Sequence, residues 1–244
     1  MKGKFMNFDA QTAVEWLRNC GDKHPQCHYD PQSRLPKRVL DCSERSKSTR
    51  ICLVETKEDD RAEYVALSYV WGGRQPFLTR SANIAEHMAE IEVATLPHTL
   101  QDAVHVTRAI GLRYLWIDAL CIIQDSTKDK ATEIGLMNQY YRNAFCVIAA
   151  TMSKVVTEGF LMPNLFGPLS FNLPPADNNT PQADFKHQVP FFSPDGEARF
   201  LILEANPPIY NAKDAPVNRR CWALQERLLC PRILRFTTLS SFSL

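Results

Sequence analysis

The chain has 244 residues, 45% hydrophobic and 23% charged, which fits one large globular domain, or one domain with a substantial insertion, around a real core. Its formal net charge of +1 supplies no global positive field, which argues against nucleic acid or a membrane surface as a partner. No stretch approaches the ~18–20 uninterrupted apolar residues that span a bilayer, and Asp9 and Glu15 break the pattern of a secretory or transit signal, so the expected chain is soluble and cytoplasmic.

Residues 9–20 carry Ala13, Trp16, Leu17 and Cys20 at helical spacing, with Asp9 as a cap. A polar segment rich in His, Pro and Asp follows over 21–36. Val39–Leu40 and Ile51–Glu55 read as two strands flanking a charged turn, and residues 1–60 together form an N-terminal helix with a hairpin-like extension. Residues 64–69 are β-branched and aromatic, as in a strand buried on both faces, and Gly72–Gly73 end the run.

A helix is expected from about Leu96, where Thr99 with Asp102 approximates a capping box and Gly111 provides the stop. Residues 114–118 read as the next strand. Ser126 and Asp129 are positioned to cap a second helix with Ile134, Met137, Tyr140, Tyr141 and Ala144 on its inner side, and residues 145–150 are a third strand. Strand and helix alternating in this order predict an α/β fold, a parallel sheet flanked by helices with right-handed crossovers.

The character changes over residues 151–218, where prolines cluster and only residues 199–203 look strand-like. So long an irregular stretch reads as an insertion before the last helix. Asn218 then caps a helix to about Leu229, stopped by Pro231, and residues 233–237 are a further strand. The Ser/Thr-rich tail 238–244 reads as unstructured, and the domain is taken as 61–244.

Three segments together resemble the fungal heterokaryon-incompatibility (HET) family. The first is Ala66-Leu67-Ser68-Tyr69-Val70-Trp71-Gly72. The second runs from Leu96-Pro97 through Asp102-Ala103 to Leu115-Trp116-Ile117-Asp118-Ala119-Leu120-Cys121-Ile122, then Gln124-Asp125, Glu133-Ile134, Met137, Tyr141 and Ala144. The third is Asn218-Arg219-Arg220-Cys221-Trp222-Ala223-Leu224-Gln225-Glu226-Arg227-Leu228-Leu229. The family looks distantly similar to TIR domains, which implies a flavodoxin-like sheet and, through a Trp-to-Glu step of four residues matched here by Trp222 and Glu226, cleavage of the nicotinamide–ribose bond of NAD. That spacing stacks the two side chains on one helical face.

In this reading Glu226 is the catalytic carboxylate that stabilises an oxocarbenium-like ribosyl cation, as carboxylates do in glycosidases. Its alternative is a solvated helix glutamate paired with Arg219 or Arg220. Ser68, Tyr69, Trp71, Gly72, Asp118 and Trp222 are expected around the substrate at the strands' carboxyl ends, with Gly72–Gly73 letting backbone amides approach it. Asp118 is equally suited to accept the following loop's amides, and Trp71 and Trp116 suit the core better than a ligand platform.

Cys20, His24, Cys27 and His28, with Cys42 from afar, have a spacing that matches no zinc knuckle, so no metal is expected. Most of the eight cysteines lie in apolar runs, Cys52, Cys121 and Cys146 among them, and read as small core residues in a reducing compartment. Nothing beside Cys121 would lower its pKa. NAD is expected as substrate and no cofactor as a permanent resident.

The leading function is thus a self-associating, NAD-consuming cell-death effector, with upstream NLR-like or other HET-associated proteins as partners. The alternatives are a non-catalytic signalling module and an inactive truncated paralogue, the latter suggested by how soon the chain ends after its third motif.

Overall fold

The structure, a computed structural model, describes residues 10–23, 27, 30–43, 49–151, 153–161, 186–192, 198–204, 230 and 232–236. Its framework is a seven-stranded mixed sheet. In chain order the strands are β1 (Arg38–Asp41), β2 (Arg50–Glu55), β3 (Tyr64–Ser68), β4 (Ile91–Glu92), β5 (Tyr114–Trp116), β6 (Cys146–Ala150) and, after the hairpin described below, β9 (Ile233–Phe236). The sheet order is β4-β2-β1-β5-β3-β6-β9.

Every residue of β3 and β6 is buried, the continuous apolar pattern of strands covered on both faces. They pair in parallel, with Val65 opposite Cys146 and Ser68 opposite Ala149, and β5 and β9 extend the parallel set on either side. The four parallel strands stand in the order second, first, third, fourth, as in a flavodoxin-like sheet. The expected parallel sheet is therefore present, but it is only part of the structure. β1 adds antiparallel to β5 and carries β2 and β4 with it, because Val39 and Leu40 are fully buried and close the core at that edge. The hairpin at 38–55 thereby continues the same sheet.

Among the described residues five α-helices accompany the strands: α1 (Ala10–Lys23), α2 (Ile84–Ala89), α3 (His98–Ala109), α4 (Asp118–Cys121) and α5 (Thr127–Asn143). The cap of α5 is as expected, with the Ser126 hydroxyl accepting from the Asp129 amide. Gly111 follows α3 at φ +80°, where a residue without Cβ is favoured.

The start of α3 differs from its expected capping box. Its N-cap is Pro97, with no side-chain cap, and Thr99 and Asp102 are both buried. Their oxygens reach across the fold to the segment after β6. Asp102 Oδ2 accepts from the Phe160 and Leu161 amides at 2.7 and 2.9 Å, and Thr99 Oγ1 from the Gly159 amide at 3.2 Å. The same oxygens that suit a cap locally are used here to dock a distant loop.

Two helix faces are narrower than their periodicity suggested. On α1, Ala13 and Leu17 are fully buried while Trp16 is 40% exposed. On α5, Met137, Tyr140 and Tyr141 face inward with Asp129 and Glu133, whereas Ile134 is 38% exposed. Glu133 is fully buried, with Tyr140 donating to its Oε2 at 3.0 Å, and burial raises its carboxyl above the ordinary range. Trp116 is fully buried between Tyr140 and Tyr141, at ring separations of 5.5 and 5.6 Å, so it is a core residue.

The hairpin of β7 (Lys186–Phe192) and β8 (Ala198–Glu204) is a separate unit within 165–212, paired from Lys186↔Glu204 to Phe192↔Ala198. β8 matches the strand-like run at 199–203. β7 was not apparent in the sequence, since Pro190 and the polar residues at its start obscure the pattern. The remainder of the expected insertion, the helix after Asn218 and the tail 238–244 lie largely or wholly outside the described residues.

Candidate functional site

The parallel strands β3 and β5 end side by side, and the chain leaving each turns at the same rim of the sheet. After β3 come Tyr69, Val70 and Trp71; after β5, Ile117 leads directly into α4 at Asp118. The Trp71 indole Nε1 donates to Asp118 Oδ2 at 3.0 Å, joining residues 47 apart in sequence. Asp118 Oδ1 accepts from the Ala119 amide at 2.7 Å, and the Asp118 carbonyl accepts from the Gln124 side chain at 3.0 Å. Asp118 therefore serves as the structural acceptor for the loop that follows it. It and Trp71 are half-buried.

A cleft of about 300 Å³ opens beside this pair. Trp71, Asp118 and Gln124 form one side, and Lys130, Ile134 and Met137 line it from α5. The exposure of Ile134 is explained by its place on this wall. Lys130, Ile134 and Met137 are spaced i, i+4 and i+7, hence on one helix face. That spacing was legible, but Ile134 and Met137 read as part of the helix's inner side.

The other expected residues are distributed as follows. Ser68 and Tyr69 are buried, 4% and 1% exposed, and lie behind the rim, with the Tyr69 hydroxyl accepting from Gln75 Nε2 at 3.3 Å. Gly72 is at φ +69° and packs against Lys154 and Val155, so its missing side chain makes room for the protein's own backbone. Glu226 and Trp222 lie outside the described residues. The structure thus brings Trp71 and Asp118 together in the cleft, whereas Ser68, Tyr69 and Gly72 do not line it.

The loop at 117–124 is held from the other side by Thr79. Its amide donates to the Ala119 carbonyl at 3.1 Å, its carbonyl accepts from the Gln124 amide at 2.9 Å, and its hydroxyl donates to the Leu120 carbonyl at 2.6 Å. At the far end of the loop, Asp129 accepts from the Ile123 amide at 2.9 Å. These bonds, made by elements that are themselves packed, position Asp118 and Gln124.

Among the described residues no group of three or more His, Cys, Asp or Glu side chains is placed to hold a metal. Cys20 and Cys27 neighbour each other, but Cys42 is buried, and His24 and His28 are outside the described residues. Likewise, no described helix is long and apolar enough to cross a membrane.

Cys42, Cys121, Cys146 and Cys230 are buried free thiols, whereas Cys52 is only partly buried. Burial pushes the Cys121 thiol up to about 12, despite the Ile117 amide and Arg38 acting in the opposite sense. A thiol in that state is a poor nucleophile. Iodoacetamide at pH 8 should therefore spare Cys121 and Cys146 in the native protein and label both after denaturation, as peptide mass spectrometry would read directly. Labelling of native Cys121 at the rate of a free thiol would contradict its burial.

Comparison with known proteins bears on the same region. A family model described as heterokaryon incompatibility protein (HET) matches residues 64–226. The heterokaryon incompatibility protein 6, OR allele, of Neurospora crassa is 28% identical over 132 residues, which cover 49% of this chain and 19% of that protein. The match thus takes in about a fifth of that relative's length. No solved structure matches the chain. The family match extends over more than half of the chain and includes Trp71, Asp118, Lys130 and the helix that completes their cleft; the chain belongs to the heterokaryon incompatibility (HET) family.

Proposed function

We propose that this chain is an effector domain of heterokaryon incompatibility, a trigger of cell death in fungal self/non-self recognition that acts on self-association by cleaving the nicotinamide–ribose bond of NAD. The observation that carries the reading is the cleft beside the Trp71–Asp118 pair, at the carboxyl ends of adjacent parallel strands, where open α/β sheets bind their ligands. It combines an aromatic ring, a carboxylate and a lysine, the groups that a nicotinamide ring, ribose hydroxyls and a pyrophosphate would each use.

In the proposed reaction the C–N glycosidic bond breaks, and nicotinamide departs as a neutral molecule with the bonding pair. The ribosyl C1′ carries the resulting oxocarbenium charge until water adds and gives up a proton, leaving ADP-ribose. Glu226 supplies the negative charge that stabilises the cation, the same service carboxylates render in glycoside hydrolysis. Trp222 and Trp71 flank the substrate, Asp118 orients ribose hydroxyls, and Lys130 draws the pyrophosphate. Upstream partners of the NLR-like or HET-associated kind would bring copies together.

The test is cellular NAD after induced expression of the chain, beside Glu226→Gln at the same protein level. NAD should fall about tenfold or more with the parent and stay at the uninduced level with the variant, since loss of a transition-state charge interaction typically costs ~10²–10³ in rate. NAD unchanged while both proteins kill would replace the reading with assembly alone. The apolar wall of the cleft favours that second reading, because Ile134 beside Trp71 is the kind of surface a protein partner covers.

A further inference from the structure

A second and larger cleft, of about 640 Å³, lies along the segment that follows Gly73, and it shares no lining residue with the first. Its walls are Arg74, Gln75, Phe77, Arg80 and His87, with Asn83 at the side. That volume falls within the ~300–1,000 Å³ of small-molecule and cofactor sites.

Both arginines are exposed, and neither forms an ion pair among the described residues, although Asp125 lies within the field of Arg80. The Asp125 carboxylate is already committed to the amide and hydroxyl of Ser81, at 2.9 and 3.1 Å. Asn83 is also committed, through the Arg80 amide and the Leu78 carbonyl. Among the described residues, no carboxylate forms an ion pair with either arginine of this cleft.

Gln75 supplies an independent indication. It is 5% exposed, and its Nε2 donates to the Tyr69 hydroxyl at 3.3 Å, but among the described residues its Oε1 has no hydrogen-bond partner. A buried acceptor left without a donor is unfavourable, so an acceptor held here at the wall of a cavity asks for a hydroxyl or amine from a ligand. The third component is flat. The Phe77 ring stacks on His87 with centroids 5.1 Å apart and planes 7° from parallel. His87 is itself fixed, with Nδ1 2.9 Å from the Thr79 hydroxyl, and burial lowers its pKa, which favours the neutral ring.

We propose that this cleft binds a nucleoside phosphate. Arg74 and Arg80 take the phosphates, Phe77 provides a face for the base, and Gln75 Oε1 accepts from a ribose hydroxyl or a base amine. The planar guanidinium fork suits phosphate oxygens, and an aromatic face stacks any base. Because the same segment carries Thr79, which anchors the 117–124 loop, occupancy of this cleft would steady the wall that holds Asp118.

The test is calorimetric titration of the full chain with ADP, adenosine and pyrophosphate, beside an Arg74→Gln/Arg80→Gln variant. Both arginines are exposed, so the variant should keep its thermal midpoint. ADP should bind at least tenfold more tightly than either fragment, and the variant should lose at least tenfold in ADP affinity. Gln75→Met should lose ADP affinity while leaving that of pyrophosphate unchanged. Pyrophosphate binding as tightly as ADP would overturn the proposal in favour of a simple anion patch, and ADP affinity unchanged in the double variant would overturn the site itself. The proposal does not rest on NAD cleavage: Glu226→Gln protein, defective in that reaction, is expected to bind ADP like the parent.

Discussion

Asp129→Ala is expected to remove a large part of the protein's stability, roughly 3–5 kcal/mol, the usual cost of stripping one partner from a buried ion pair. Arg38 is 1% exposed. Its guanidinium pairs with Asp129 Oδ2 and donates through Nε to the Cys121 carbonyl at 2.7 Å, while Glu55, at 3.9 Å, is more than half exposed. Lys37 reaches Asp129 Oδ1 at 3.0 Å. Without Asp129 the buried guanidinium keeps only a carbonyl and a distant, solvent-screened carboxylate. Because whole domains are stable by only ~5–15 kcal/mol, a loss of this size should lower the urea midpoint severely.

Asp129 also accepts from the Ile123 amide, so the loop carrying Asp118 and Gln124 should lose amide protection in the variant. The control is Arg38→Met with Asp129→Leu, which removes both charges and should recover most of the loss. Asp129→Ala costing less than about 1 kcal/mol would mean that the pair does not hold this corner.

The same pair predicts how stability responds to acid. Burial alone would raise the Asp129 carboxyl, but the Ile123 amide, Lys37 and Arg38 outweigh it and hold the group below its ordinary value. A carboxyl depressed in the folded state contributes stability that is present above its unfolded pKa of ~3.9 and is lost as pH falls through the folded value. Urea midpoints between pH 5 and pH 3 should therefore fall further for the parent than for the Arg38→Met/Asp129→Leu protein. Glu133 and Asp102, both raised by burial, act in the opposite sense, favouring the folded state as they protonate.

The second large effect is expected at Gly72. Its φ of +69° costs a residue with a Cβ ~1–2 kcal/mol. An added Cβ would also stand 2.3 Å from Val155 Cγ1, 2.5 Å from Val155 Cα and 2.6 Å from the Lys154 carbonyl oxygen. Two of these neighbours are backbone and cannot swing aside. Overpacking of this kind adds ~1–3 kcal/mol, so Gly72→Ala should destabilise by about 2–5 kcal/mol. It should also undock the segment at 153–161, seen as faster hydrogen exchange at the Val156 and Gly159 amides. Gly73 is the internal comparison, at φ +122° with nothing within 4 Å of an added Cβ. An equal loss in Gly73→Ala would show that backbone strain alone, not the close approach to Val155, sets the cost.

These two sites show why some features were legible and others were not. Gly72 was identified as special, but for a ligand; the atoms that need the space belong to Val155, 83 positions later (155 − 72). Asp102 and Thr99 looked like a cap because their local spacing is that of one, yet their oxygens serve amides at Gly159, Phe160 and Leu161. Trp16 and Ile134 satisfied helical periodicity but fell outside the buried face, because the width of that face depends on what packs against it. The Arg38–Asp129 pair has no local signature at all, since its members are separated by 91 positions.

Local chemistry, by contrast, was sufficient wherever neighbours in the chain decide the outcome. The apolar runs of β3 and β6, the Ser126 cap and the left-handed stop at Gly111 depend on backbone preferences and short-range burial, so the sequence by itself determined these elements, their α/β alternation and the family. Tertiary structure alone decided that β1 closes the sheet antiparallel, that Trp71 meets Asp118, and that Arg74, Gln75 and Phe77 share a cleft with His87. Each of those outcomes joins segments that pay loop-closure entropy to meet, and the return is burial or hydrogen bonding visible only once both segments are in place.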